Sequence, residues 1–176
     1  MHPDIVILGA GVIGASVAYH LARRGCGEIL VLDRAADFGG GSTAKATGGF
    51  RAQFDNETEV RLSLRSREKL IAFPDEIGCD SGYRPRGYLF LACSDEELRT
   101  LRDAQSVQHA CGLSEARMIS AEEARAINPA IGDASVIGGA FCPTDGFVRP
   151  MNILRGYADA AARLGVRFEF GAEHQG

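Results

Sequence analysis

Hydrophobic positions in this chain alternate between two periods, and the changes of period mark out its elements. Residues 5–8 form an unbroken apolar run that follows Asp4 and stops at Gly9. Such a run predicts a strand over 4–8 buried on both faces, as in a parallel sheet. Val12, Ile13, Val17 and Leu21 then recur at helical spacing, and Gly25 stands where that helix would end. A second apolar run, Ile29 to Leu32, closes on Asp33 and predicts a second strand.

The middle of the chain changes style. Asn56 and Glu59 have capping-box spacing, and Val60, Leu64 and Ile71 share a helical face that should end at Pro74. Arg61, Arg65 and Lys69 recur on another face, as a solvated surface would. Residues 75–86 are polar and irregular. A strand is expected over 87–92, then a helix opened by Ser94 with Glu97 and closed by Gly112. A short strand at 117–119 leads to a second capping box, Ser120 with Glu123, and a short helix that stops at Asn128-Pro129. Residues 135–142 read as another strand, with Gly138-Gly139 marking a bulge or a close approach, and Asp145-Gly146 turns the chain. Pro150 starts the last helix, whose stripe is Ile153, Tyr157, Ala161 and Leu164; Gly165 ends it, and 166–170 alternates as a strand.

The opening strand, glycine turn, helix and second strand form a βαβ unit with the spacing G-x-G-x-x-G. Gly9 permits the tight turn, Gly11 lets backbone approach a pyrophosphate, and Gly14 lets helix and strand pack closely. Phosphates would meet free N–H groups and the positive end of the helix dipole. Asp33 falls about 20 positions past Gly14, where an acid would hold a ribose hydroxyl. A dinucleotide site follows, with Gly9, Gly11, Val12, Ile13 and Gly14 at the turn, Asp33 at the ribose and Arg34 on the adenine side. The next loop holds five glycines within residues 39–49, together with Ser42, Thr43, Lys45, Thr47 and Arg51. Hydroxyl and cationic donors directly after the ribose-binding acid suit a loop that lines the cofactor. Gly41 belongs to it.

Composition narrows the partners. A net charge of −4, the absence of Trp and the lack of basic–aromatic interleaving exclude a nucleic-acid footprint. No apolar run approaches the roughly 20 residues of a membrane span, and the N-terminus lacks a signal-peptide pattern, so a cytoplasmic location is expected. The five cysteines form no C-x-x-C pair and the four histidines show no ligand spacing, so no metal site is expected and thiols in a reducing compartment are.

Three stretches carry a resemblance to the FAD-dependent amine and amino-acid oxidoreductases, the group of D-amino-acid oxidase, glycine oxidase, sarcosine oxidase and dimethylglycine dehydrogenase. They are Asp4 to Asp33, Gly41 to Arg51, and Gly87-Tyr88-Leu89-Phe90-Leu91-Ala92 through Asp145-Gly146-Phe147-Val148-Arg149-Pro150. Arg149 departs from the family pattern, in which aspartate usually precedes that proline. The resemblance implies an α/β fold: a Rossmann-like, doubly wound, parallel-sheet FAD-binding domain with an inserted mixed α+β substrate domain. Expected boundaries are 1–83 for the first part of the FAD-binding domain, 84–142 for part of the substrate domain and 143–176 for the return. Only three strands of the main sheet are visible, so the chain resembles the front portion of a longer protein.

The resemblance also implies FAD, held without a covalent bond as far as these residues go, since Ala44 and Lys45 stand where covalent members carry histidine. A cysteine link from a later segment stays open. It implies that Ser42, Thr43 and Thr47 bond the pyrophosphate and ribityl region, that Lys45 neutralises phosphate or flavin charge, and that Arg51 lies near the substrate carboxylate. The implied reaction is oxidation of the C–N bond of an amino acid or amine to an imine, by hydride transfer to flavin. Two other readings stand beside it. One is an NAD-dependent dehydrogenase, with Asp33 repelling a 2′-phosphate. The other is a catalytically incomplete chain that a partner or a C-terminal half would complete.

Overall fold

The computed structural model describes residues 2–172; His174, expected to be a structural or surface residue, lies outside them. In order, the elements are β1 (Ile5–Leu8), α1 (Val12–Arg23), β2 (Ile29–Asp33), α2 (Ser42–Lys45), β3 (Gly49–Phe50), α3 (Glu57–Ile77), β4 (Arg84–Pro85) and β5 (Tyr88–Ala92). There follow α4 (Asp95–Ala110), β6 (Arg117–Ser120), α5 (Ala121–Ile127), β7 (Gly138–Cys142), β8 (Gly146–Phe147), α6 (Pro150–Arg163) and β9 (Arg167–Phe170). They form two compact units: residues 1–48, 70–83 and 148–176, and residues 49–69 and 84–147. Residues 49–69 and 143–147, grouped by sequence with the first domain, therefore sit in the second unit.

The first unit is built on a parallel sheet of order β1-β2-β9, with Ile5 opposite Ile29 and Leu30 opposite Arg167. Ala18 and Tyr19 of α1, Ala160 and Ala161 of α6, and Ile29 and Val31 of β2 share one buried cluster. The buried face of α1 differs from the expected stripe. Ile13 and Val17 are 76% and 43% exposed, while Gly14, Ala15, Ala18 and Tyr19 are buried. Small side chains let α1 approach its neighbours closely, and a pattern that ranks residues by apolar bulk selects the wrong face. On α6 the expected Ile153, Tyr157 and Ala161 do pack on the core, joined by the buried Leu154, and only Leu164, just past the helix, is exposed. Nor is β1 buried on both faces: among the described residues it lies at the edge of the sheet, and Val6 and Leu8 are exposed.

Pro74 does not end α3, which runs on to Ile77. The proline removes the N–H that would reach the Leu70 carbonyl, and the buried Ser81 hydroxyl donates to that carbonyl instead, at 2.9 Å. Phe73 and Ile77, both buried, anchor this last turn in the first unit's core, while Ile71, expected on the buried face, is exposed. The expected irregular stretch accordingly begins after Ile77 and contains the two-residue β4.

The second unit carries two antiparallel sheets, β5-β7-β6 and β3-β8-β4. The central strand β7 starts at Gly138, later than the pattern suggested. Its glycines mark a close approach: a Cβ on Gly139 would collide with the Phe90 carbonyl oxygen. All three expected caps form here, the first with the Glu59 N–H donating to Asn56 Oδ1 at 3.0 Å. Ser94 accepts the Glu97 N–H, and Ser120 with Glu123 makes a reciprocal capping box that holds the Glu123 carboxyl below its ordinary range, chiefly through the Ser120 N–H. Arg61 and Arg65 form exposed ion pairs with Glu57 and Glu68, as a solvated face should. Among the described residues no helix is long and apolar enough to cross a membrane.

Candidate functional site

The glycine turn of the first unit has the geometry that its spacing predicts. Gly9 adopts φ +102°, a conformation that a side chain would strain. A Cβ on Gly14 would run into the Gly9 carbonyl oxygen, so glycine at 14 is what lets α1 leave the strand so tightly. Helix α1 starts at Gly11 with no side-chain cap and no acidic residue in its first turn. Its own first turn thus carries no carboxylate against the positive end of the dipole; the acid that reaches the turn is Asp33, from β2. The Val12 N–H donates to Thr43 Oγ1 at 3.1 Å, bringing α2 against the turn.

Asp33 closes the same turn from the end of β2. Its Oδ2 accepts the Ala10 N–H at 2.7 Å and its Oδ1 accepts the Ala35 N–H at 2.8 Å. Each oxygen keeps a further acceptor position. Asp33 lines a cavity of about 500 Å³ with Gly9, Arg34, Gly40 and Gly41. Bare glycine backbone, helix N–H donors and an acid at the strand end fit a dinucleotide, its phosphates at the turn and its ribose at Asp33. The other sequence candidates spread around this core. Ile13 points outward, and Ser42, Lys45 and Thr47 are exposed on and after α2.

Arg51 lies in the second unit, after β3, and is half-buried. Its guanidinium carbon sits 4.5 Å from the centre of the Phe54 ring, 5.3 Å from Phe90 and 5.9 Å from Tyr88. All three distances are within cation–π range. Aromatic rings do not accept from N–H groups as a carboxylate does, so the guanidinium keeps donors for one. Among the described residues no carboxylate pairs with it, so Arg51 is not held by a structural salt bridge. With Gln53, Phe54, Phe90 and Gln108 it lines a cavity of about 200 Å³.

Side chains, rather than a strand ladder, fix the segment that carries Arg51. Asp145, fully buried, accepts the Ala52 N–H at 2.9 Å and the Gln53 amide at 3.2 Å. The Gln53 amide also donates to the Tyr88 carbonyl, and Gln108 donates to the Phe54 carbonyl, each at 3.0 Å. Burial pushes the Asp145 carboxyl above its ordinary range, against the pull of the Ala52 N–H, the Gln53 side chain and backbone N–H, and the charge of Arg67. Sequence reading took Asp145 for a turn residue and passed over Gln53 and Gln108. The available signal was weak: a glutamine flanked by Ala52 and Phe54, two residues past the arginine that the family resemblance singled out. Among the described residues no three His, Cys, Asp or Glu side chains gather as metal ligands.

Comparison with known proteins places the chain. Residues 4–176 match the family model described as DAO, FAD dependent oxidoreductase. FAD-dependent oxidoreductase domain-containing protein 1 of Xenopus laevis is 30% identical over 93% of this chain and 34% of its own length. Glycine oxidase of Geobacillus kaustophilus is 28% identical over 93% of this chain and 44% of its own length. In structure, L-proline dehydrogenase from P. horikoshii aligns with a TM-score of 0.88 and 33% identity, over 98% of this chain and 45% of that one. The chain thus spans less than half the length of the relatives it matches. It belongs to the FAD-dependent oxidoreductase family that includes glycine oxidase.

Proposed function

We propose that the protein oxidises the C–N bond of a small amino acid or carboxylated amine to the imine, using non-covalent FAD. The observation that carries this reading is Arg51, a cation stacked among three aromatic rings beside a small cavity, with no carboxylate partner among the described residues. A planar fork of N–H donors left free in this way suits a bidentate carboxylate. When bound, FAD supplies the acceptor for the hydride lost from the carbon next to the substrate nitrogen. The chain's own residues bind and orient. Gly9, Gly11 and the start of α1, with Val12 and Thr43, would hold the pyrophosphate, Asp33 the ribose, and Arg34 and Gly41 the adenosine side. Ser42, Lys45 and Thr47 extend the polar lining. Membership of a FAD family sets aside the NAD-dependent reading.

Kinetics of Arg51 variants test the proposal. With a carboxylated amine as substrate, Arg51→Ala should raise KM at least about tenfold, as loss of a charged hydrogen-bonded pair implies. Arg51→Lys should recover part of the loss. An unchanged KM in Arg51→Ala would remove Arg51 from the site.

A further inference from the structure

We infer that Gln53 sets the substrate specificity of the second unit's cavity, its side-chain carbonyl accepting an N–H of the amino acid whose carboxylate pairs with Arg51. The inference rests on the function proposed above and narrows its substrate class. Gln53 lines the cavity and is only 4% exposed. Both acceptors beside its amide nitrogen are fixed: the Tyr88 carbonyl and Asp145 Oδ2. Reversing the amide would turn its oxygen toward a carbonyl that can only accept, so the amide orientation is set by its partners. That leaves Oε1, and among the described residues it is the buried side-chain polar atom with no hydrogen-bond partner. A buried acceptor left unpaired is costly, and in native proteins such an atom calls for an explanation. A ligand that donates to it supplies one.

The other polar groups around the cavity narrow the ligand. Arg51 offers a cation. Behind the lining, Asp145 is engaged by Ala52 and Gln53; on the lining, the Gln108 amide donates to the Phe54 carbonyl, the Thr100 hydroxyl donates to the Glu96 carbonyl, and Asp55, exposed at the rim, accepts from Asn56. Away from the exposed rim, the cation of Arg51 and the unpaired neutral acceptor of Gln53 complement a carboxylate and an N–H, the two polar ends of an α-amino acid. A neutral acceptor suits the amine in the form that can be oxidised. Once deprotonated, a primary or secondary amine still carries an N–H to donate, whereas a tertiary amine has none. Gln53 therefore favours glycine-, sarcosine- or proline-like substrates over dimethylated ones.

Calorimetry on the protein with matched ligand pairs tests this. The pairs are sarcosine with methoxyacetate, and L-proline with tetrahydrofuran-2-carboxylate; in each, an ether oxygen replaces the N–H while shape and carboxylate are kept. At least one amine should bind about tenfold or more tighter than its ether, because a site built around a hydrogen bond rejects the analogue that lacks it. In Gln53→Met the preference should fall to about threefold or less with the ether's own affinity retained, which also reports that the cavity is intact. Equal affinity of amine and ether in the wild-type protein overturns the inference, as does a preference unchanged in Gln53→Met. An intact Arg51 effect without amine preference would refute the role of Gln53 alone. Loss of both would refute the amino-acid reading as well.

Discussion

At the scale of single residues, the second unit's site depends on one buried acid. Asp145 holds the Ala52 N–H and the Gln53 amide, and replacing it with alanine leaves both buried donors short of a partner. Asp145→Ala should cost about 3 kcal/mol, read by denaturant unfolding. Its carboxyl is raised by burial, so the folded protein keeps a proton that the unfolded chain releases. Stability should therefore fall as pH rises from the ordinary carboxylate range, about 4, through the raised folded value. Asp145→Asn should flatten that slope; a wild-type slope of opposite sign in the same window would count against a raised carboxyl. This acid was legible only as a turn former, because its partners lie 92 and 93 positions away and no local pattern reports them. Gly9, Gly14 and Asp33 were legible because their task is set by their immediate neighbours.

At the scale of elements, caps and the βαβ unit could be read from sequence, and buried faces only in part: Val60, Leu64, Ile153, Tyr157 and Ala161 pack inward as expected, while Ile13, Val17, Ile71 and Leu164 do not. Ser94, Ser120 and Pro150 act where spacing placed them, since a cap is a bond within four residues. The face of α1 depends on how closely helices pack, which bulk and hydrophobicity do not encode. The passage of α3 through Pro74 turns on Ser81, a side chain outside the helix. Ser81→Ala should leave the Leu70 carbonyl without that bond, cost about 1 kcal/mol and lower Tm by about 2–4 °C in a thermal melt. An unchanged Tm would mean that the last turn of α3 is held by Phe73 and Ile77 alone.

At the scale of the whole molecule, the chain presents two units, and the first ends in an apolar edge. Among the described residues strand β1 pairs on one side only, and Val6 on it is 49% exposed. Edge strands of this kind pair with other chains. The 176-residue chain should show concentration-dependent association by light scattering, and Val6→Lys should shift it toward monomer. A wild-type monomer at all concentrations would show that this edge is protected. Residues 49–69, grouped by sequence with the first domain, are tied into the second unit by contacts far apart in sequence, such as Ala52 with Asp145 and Arg67 with Glu115, which no local pattern reports.

The most direct measurement is an anaerobic titration of the FAD-loaded protein with glycine, sarcosine, L-proline, dimethylglycine and D-amino acids, following the flavin spectrum. The visible flavin bands should bleach with at least one amine that carries both an N–H and a carboxylate, at a concentration that rises in Arg51→Ala. A protein that takes up no FAD, or one whose flavin stays oxidised with every amine, would contradict the proposed function.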